Sequence, residues 1–529
     1  MIKNPFKLLD EEEEDHEKAA EAEAKVPKSS TTQKVLVIFC VLFLFALAII
    51  PRLYFLFFVS DPQNAGLGWY GDVYHHWQIA YLSKEIGFTH GITRLWDLKG
   101  LEYFWGIGYS YILVILFALF GSADIIIPRL LDVVLGSFSI VLIFLIVRKY
   151  FNFLTAAVAS VFAALNPISV FNDTSGMHEP VGIFFLLLGI LFFENGAFLS
   201  GLFLAVASTM RAEYWLFSIV LVLAVLLREK VLEKKIVFFV GWAIPILVYM
   251  KILLDRTGNP IYPLWWNFLG NAVGKWQADV PFSPQQLTLR YFLGFVLAFT
   301  VLCGLVTIIK KPKWYLFGLL GFTNIAFLAF FVGFTDYLKS FLPRFFVDRI
   351  MVLPYVFCGF LITIFLVWFI PKKTHQAFAI VGSLIVAAIL VISQYEWVPI
   401  WKYFSPSSGI WKSESKIAGL VAASYTGGSV LIPEDRPWLT YMLYKDGIEG
   451  KKIRGQLYDP FYYMGKEPYL NWGEKRLKIF QWLRDEDIKL IVVYPHRERY
   501  TELFKREEKN FELTASMPDS ILIYRVKDL

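Results

Sequence analysis

Asp72, His75 and His76 stand close together in YGDVYHHWQI, residues 70–79. On a helix, spacings of three and four put a carboxylate and two imidazoles on one face. Such a face can supply a general base beside imidazoles, or oxygen and nitrogen ligands for a metal. The same residues also read as a helix N-cap followed by two histidines at an aqueous interface.

A second group, Asp173, His178 and Glu179, lies in FNDTSGMHEP, residues 171–180. Acids within a turn of hydrocarbon cost free energy unless they are paired or functional. Glu179 carries that argument more strongly than Asp173. The plainer reading is a solvated loop whose acids favour the next helix N-terminus. Asn172-Asp173-Thr174 matches a glycosylation sequon, in a loop too short and too near the membrane for use. Arg211 and Glu213 interrupt an apolar stretch in STMRAEYW, residues 208–215, where a snorkelling arginine in a short turn is the plainer reading. Lys339, Arg344, Asp348 and Arg349 crowd the start of another apolar run. They read either as a phosphate clamp, since arginine forks grip phosphate oxygens in pairs, or as an Arg344–Asp348 helical pair.

These groups must be positioned by an unusual scaffold. The 529 residues are 57% hydrophobic and 18% aromatic, with mean hydropathy +0.52, which excludes an ordinary soluble protein. No basic stripe interleaved with aromatics supports nucleic-acid binding, and the net charge of +6 comes mostly from short loops. Cys40, Cys303 and Cys358 all lie in apolar runs, so they imply packing and no disulfide framework.

Runs long enough to span occur near 35–58, 125–147, 154–172, 236–254, 291–309, 314–335, 350–370 and 376–393. The stretch 181–227 has room for three more, broken near Glu194 and Arg211. The run 104–120 decides the topology. If it does not span, the basic clusters at Lys34, Arg148-Lys149, Arg228–Lys235, Lys310–Lys313 and Lys372-Lys373 all fall on one side. It therefore reads as a re-entrant or interfacial helix. The expectation is a polytopic α-helical membrane protein of about eleven spans, in the cell membrane with its N-terminus cytoplasmic. A disordered acidic tail covers 1–34 and a transmembrane domain 35–400, whose large first outer loop is 59–124. The composition changes again at 401–529, where short strands alternate with amphipathic helices. This predicts a small extracytoplasmic α/β domain. All four polar groups then belong to outer loops.

On these residues the chain resembles the GT-C integral-membrane glycosyltransferases. The resemblance lies in Asp72 within GWYGDVYHHW, Arg129 within IIPRLLDVVLG, AALNP at 163–167 and GMHEP at 176–180. RAE at 211–213 and RFFVDRIMVLP at 344–354 also look like family positions. It covers roughly 35–400 in organisation, and the α/β tail looks like the outer domains many members carry. The opening of the first loop is similar to the catalytic subunits of archaeal oligosaccharyltransferases. The WWDYG hallmark of those enzymes is absent: LWWNFLG (264–270) and LNWGEK (470–475) lack Asp-Tyr-Gly. The second acidic motif is reduced to Glu179. Protein O-mannosyltransferases and aminoarabinose transferases, which use monosaccharide donors, fit at least as well.

The resemblance implies transfer of a sugar from a polyprenyl-phosphate-linked donor to a protein, lipid or glycan acceptor on the extracytoplasmic face, with inversion. Asp72 would take the acceptor's proton. Arg211, Arg344 or Arg349 would stabilise the leaving phosphate, and Glu179 would orient the acceptor or join Asp72 around Mg2+ or Mn2+. His75, His76, Asp173, His178, Glu213 and Lys339 would complete the substrate site. Trp69, Tyr70 and Trp77 would stack on sugar or sit in an interfacial belt, and 104–120 would line a groove for the lipid tail. Two rivals stand beside this reading. A polyprenyl-lipid flippase or transporter would place ionisable groups at mid-bilayer and show internal symmetry. A non-catalytic scaffold would have no use for paired acids in two outer loops.

Overall fold

The computed structural model describes residues 31–59, 71–88, 94–96, 100–150, 153–272, 409–433, 436–455, 467, 469–495, 498–518 and 520–527, with single positions at 302, 323, 374, 377 and 381. Four of the expected spans, from 291 to 393, lie outside the described residues apart from the single positions above, as do residues 1–30 of the expected tail, Trp69, Tyr70, Lys339, Arg344 and Arg349; residues 31–34, expected in the disordered tail, are helical.

The chain begins with α1 (Thr31–Tyr54), which ends in a π-helical turn at Phe55–Val59. The expected first outer loop holds α2 (Gly71–Ile86), α3 (Leu101–Trp105) and α4 (Gly108–Phe120). Then come α5 (Ile126–Tyr150), α6 (Phe153–Leu165), α7 (Pro167–Asn172), α8 (Glu179–Leu191), α9 (Ala197–Met210), α10 (Ala212–Arg228), α11 (Leu232–Thr257) and α12 (Tyr262–Asn267).

Among the described residues, the helices within α1, α5 and α11 are long and apolar enough to cross a membrane; five shorter apolar helices accompany them. Exposed Phe39, Leu42 and Phe43 on α1, and Ile244, Leu247 and Val248 on α11, form apolar faces that suit hydrocarbon. The central helix is α5, which packs against α1, α6 and α8.

The apolar stretch 181–227 divides into three helices, with breaks around Glu194 and at Arg211. The expected single helix at 104–120 is two. Gly106 breaks it at φ 112°, and a side chain there would meet the backbone carbonyl of Met210 at 2.7 Å. The second piece, α4, has 13 residues. At 1.5 Å per residue it reaches about 20 Å, short of the roughly 30 Å hydrocarbon core. The run 154–172 is also broken, at Asn166, because Pro167 cannot donate into the helix before it.

Beyond the undescribed stretch, α13 (Gly409–Ser424), β1 (Ser429–Ile432), α14 (Pro437–Lys445), β2 (Ile453–Gly455), α15 (Trp472–Asp485), β3 (Ile488–Val493), α16 (Glu498–Arg506), β4 (Phe511–Met517) and β5 (Ile521–Val526) form an α/β unit. The sheet order is β2-β1-β3-β5-β4. Strands β2, β1 and β3 are parallel, and the antiparallel β4–β5 hairpin completes the edge. Val430, Ile432, Leu490 and Val492 face the layer of α13 and α14, whereas Leu431, Ile491 and Val493 face α15 and α16. Burial on both faces explains why these strands read as nearly continuous apolar runs.

The α9–α11 crossing depends on two glycines. A Cβ at Gly201 would lie 2.8 Å from the Trp242 nitrogen, and one at Gly241 would lie 2.5 Å from the Phe198 carbonyl oxygen. Small residues let helix backbones approach this closely. Gly201→Val is expected to cost about 2 kcal/mol through overpacking. Gly419→Ala, in α13 with open space around it, is expected to gain about 0.5–1 kcal/mol. Thermal unfolding of the purified protein should give the two shifts opposite signs.

Candidate active site

The helix α2 starts at Gly71, so Asp72 lies in its first turn, where the helix dipole favours a negative charge. One turn on, His76 is buried among three rings. Its centroid is 4.7 Å from Trp105, 5.4 Å from Tyr109 and 4.5 Å from His178. His75 is 5.6 Å from Trp105. The segment that carries α2 and the 171–180 stretch therefore meet through two imidazoles.

His178 and Glu179 are aimed by a tight turn after α7. The Gly176 backbone has φ +87°, and a side chain there would lie 3.2 Å from Val73 and 3.3 Å from Arg129. Glycine alone adopts that conformation readily in so tight a space. The Tyr109 hydroxyl donates to the Gly176 carbonyl at 2.8 Å. Asp132, from α5, is fully buried. At the start of α8, the Tyr214 hydroxyl donates to the Glu179 carbonyl at 2.9 Å.

Arg211 is the single extended residue between α9 and α10. Its guanidinium is shared: Nη1 donates to Glu179 Oε1, and Nε stands in an ion pair with Glu213 Oε1. Nη1 also lies 3.1 Å from His178 Nε2. Arginine has no acceptor, so His178 Nε2 must accept and Nδ1 carries the proton. That Nδ1 lies 3.7 Å from Glu179 Oε2. Asp72, His75, His76, His178, Glu179, Arg211 and Glu213 thus come from three separate segments of the chain, and the structure links the last six through neighbouring contacts.

Two expectations change. Asp173 is committed elsewhere: Arg52 Nε donates to its Oδ2 at 2.8 Å, and Nη2 forms an ion pair with the same oxygen at 2.7 Å. Arg52 Nη1 donates to the carbonyls of Ala48 (2.8 Å) and Ala164 (3.1 Å). The carboxylate also presses on Gly136, where a Cβ would fall 2.3 Å from its Cγ. Burial pushes the Asp173 carboxyl up, and the Arg52 guanidinium opposes that shift. Asp173 therefore ties α1, α5 and α7 together. Trp77 is also no sugar platform. It is fully buried, stacks on Tyr81 at 4.7 Å, and donates from Nε1 to the Ala123 carbonyl at 2.5 Å. Asn172 of the sequon is 1% exposed and closed to modification.

For a divalent ion held by Asp72 and Glu179, one of the two Glu179 oxygens is already engaged by Arg211. Among the described residues, no three His, Cys, Asp or Glu side chains gather in the geometry of a metal site.

Sequence reasoning missed Tyr109, Asp132 and Arg52. For the two charged ones there was a signal, since ionisable groups inside apolar helices are rarely idle. Tyr109 gave none, because its role depends on the distant Gly176.

No known family model and no curated protein matches the sequence. Solved structures do. The oligosaccharyltransferase AglB from Archaeoglobus fulgidus, in complex with an inhibitory peptide and a dolichol-phosphate, superposes with a TM-score of 0.51 at 11% identity, covering 93% of this chain and 74% of that one. The apo form of the Archaeoglobus fulgidus oligosaccharyltransferase gives 0.48 at 10% identity, over 87% and 69% of the two chains. ArnT from Cupriavidus metallidurans gives 0.44 at 13%, over 94% and 98%. The chain shares the fold of the AglB structure.

Arg52→Met would leave Asp173 as a lone buried charge and is expected to cost about 3–5 kcal/mol. Arg52→Met combined with Asp173→Leu should recover most of that loss. Unfolding midpoints of the single and double variants provide the check.

Proposed function

We propose that this chain is a GT-C glycosyltransferase that moves a sugar from a polyprenyl-phosphate carrier to an acceptor on the extracytoplasmic face, with inversion. The observation that carries the reading is the joining of His76, His178, Glu179, Arg211 and Glu213, beside Asp72, in a fold shared with AglB. The AglB structure holds a dolichol-phosphate and a peptide. Ligands of the same two kinds, a polyprenyl phosphate and an acceptor, are proposed for this site.

The reaction is a direct displacement. The acceptor's oxygen or nitrogen forms a bond to the anomeric carbon as the bond from that carbon to the phosphate oxygen breaks. The electron pair leaves on the phosphate, already a stable anion. The acceptor's proton passes to Asp72, the general base. His75 and His76 line the approach to it.

Glu179 orients the acceptor, held by Arg211 and His178. Arg211 already balances two carboxylates. The charge developing on the phosphate therefore falls to Lys339, Arg344 and Arg349 of the fourth polar group. In the metal-dependent form of this reading, Asp72 and Glu179 would hold Mg2+ or Mn2+, which would supply Lewis-acid charge near the leaving group. The docking of α14 on α2, which puts the α/β unit beside the first outer loop, supports an extracytoplasmic C-terminal domain and a cytoplasmic N-terminus.

Asp72→Asn is the informative variant, because asparagine still serves at a helix start. Transfer of labelled sugar from a panel of polyprenyl-phosphate donors in membranes should fall by about 10²-fold or more, as for loss of a general base. If EDTA leaves wild-type transfer intact, the metal-free form of the reading holds; abolition by EDTA supports the bridging ion. Unchanged transfer by a correctly inserted Asp72→Asn protein would overturn the role given to this residue.

A further inference from the structure

The helix α2 has no wet side along most of its length. From Val73 to Ser83 every residue is buried except half-buried His75, and exposure begins only near Lys84. An outer-loop helix resting on a membrane surface would keep one face in water. Here one side is covered by Trp105, Tyr109 and His178, through His76.

The other side is covered by the C-terminal unit. Tyr74, Trp77, Gln78 and Tyr81 recur at helical spacing and meet α14. Tyr441 lies 5.5 Å from Tyr74 and 5.0 Å from Trp77. Tyr444 lies 4.9 Å from Tyr81 and 5.7 Å from Trp77. Gln78 Nε2 donates to the Thr440 hydroxyl at 3.0 Å.

The same helix, α14, also holds the segment leading into α5. The amides of Ala123 and Ile125 donate to the hydroxyls of Tyr444 (3.3 Å) and Tyr441 (3.5 Å). Lys445 pairs with Asp124 at 2.9 Å. Behind these contacts, Leu439 and Leu443 are fully buried in the core shared with the sheet. The next turn continues the contact: a Cβ at Gly450 would lie 2.7 Å from the Tyr81 ring.

We propose that α14 is a positioning element, a clamp that fixes α2 against the α3–α4 junction and so holds Asp72 and His76 in place. Only the catalytic consequence rests on the transferase reading; the clamp itself does not. The aromatic rings supply rigid contact area at little cost in side-chain entropy. Because the clamp and the site share one rigid helix, a ligand that favours the docked position of α2 also strengthens the docking of α14.

The test uses the full chain in lipid nanodiscs, comparing wild type with Tyr441→Ala/Tyr444→Ala and Tyr441→Phe/Tyr444→Phe. Hydrogen exchange of residues 71–86 should quicken about tenfold or more in the alanine pair, with β1 and β3 still protected, and stay near wild type in the phenylalanine pair, which keeps the rings. In sugar transfer, the alanine pair should lose about tenfold in kcat with the donor KM nearly unchanged, and the phenylalanine pair should restore kcat. Gly450→Val, which wedges a side chain against Tyr81 without removing a ring, should repeat the exchange result. Unchanged exchange at 71–86 in the alanine pair and in Gly450→Val would overturn the clamp. Faster exchange with unaltered kcat would overturn its positioning role. A wild type that transfers no sugar would count against the transferase reading, while exchange would still decide the clamp.

Discussion

The Arg211 guanidinium, shared between Glu179 and Glu213, is the interaction on which the site depends. Both carboxylates are almost fully buried. Neither could stay there charged without a cation, because desolvating a carboxylate costs several kcal/mol. Both also sit in the first turn of a helix, α8 and α10, where the dipole favours them. Arginine suits the place because its planar fork serves two carboxylates at once. The extended backbone at Arg211 follows: a residue inside a helix could not turn its side chain between two helix starts. Once that contact forms, His178 is set as well, because Arg211 dictates which imidazole nitrogen carries the proton.

Beside this contact stands another of the same kind. Arg52 and Asp173 join residues 121 positions apart and tie the first apolar helix to the turn that precedes His178. From α4, Tyr109 holds the carbonyl of that turn. The turn is thus constrained on several sides by groups that would be costly to leave unsatisfied in a dry interior. Such a site is set before any ligand arrives, which favours chemistry that relies on orientation and preorganised charge.

The sequence revealed some of this directly. Apolar runs marked the helices, and charges at Glu194 and Arg211 marked two of their breaks. The change in composition after 400 announced strands and amphipathic helices, and a sheet with a layer of helices on each face is what forms. Local pattern could express these features because each is local. It could not assign partners. Asp173 and Glu179 look alike in FNDTSGMHEP, yet one serves an arginine in the first helix and the other an arginine 32 residues on. Trp77 has the composition of a sugar platform, and only the arrival of α14 some 360 residues later makes it core. The second break in the first loop was illegible for the same reason. Gly106 is required by the backbone of Met210, about a hundred positions away in the chain.

The most direct test of the account is a structure of the full protein in lipid with a polyprenyl-phosphate-linked sugar bound. The account predicts the sugar's anomeric carbon beside Asp72, the phosphate met by cations of the 339–349 segment, and Arg211 still shared between Glu179 and Glu213. A headgroup bound away from Asp72, or Arg211 released from both glutamates to grip the phosphate, would contradict it.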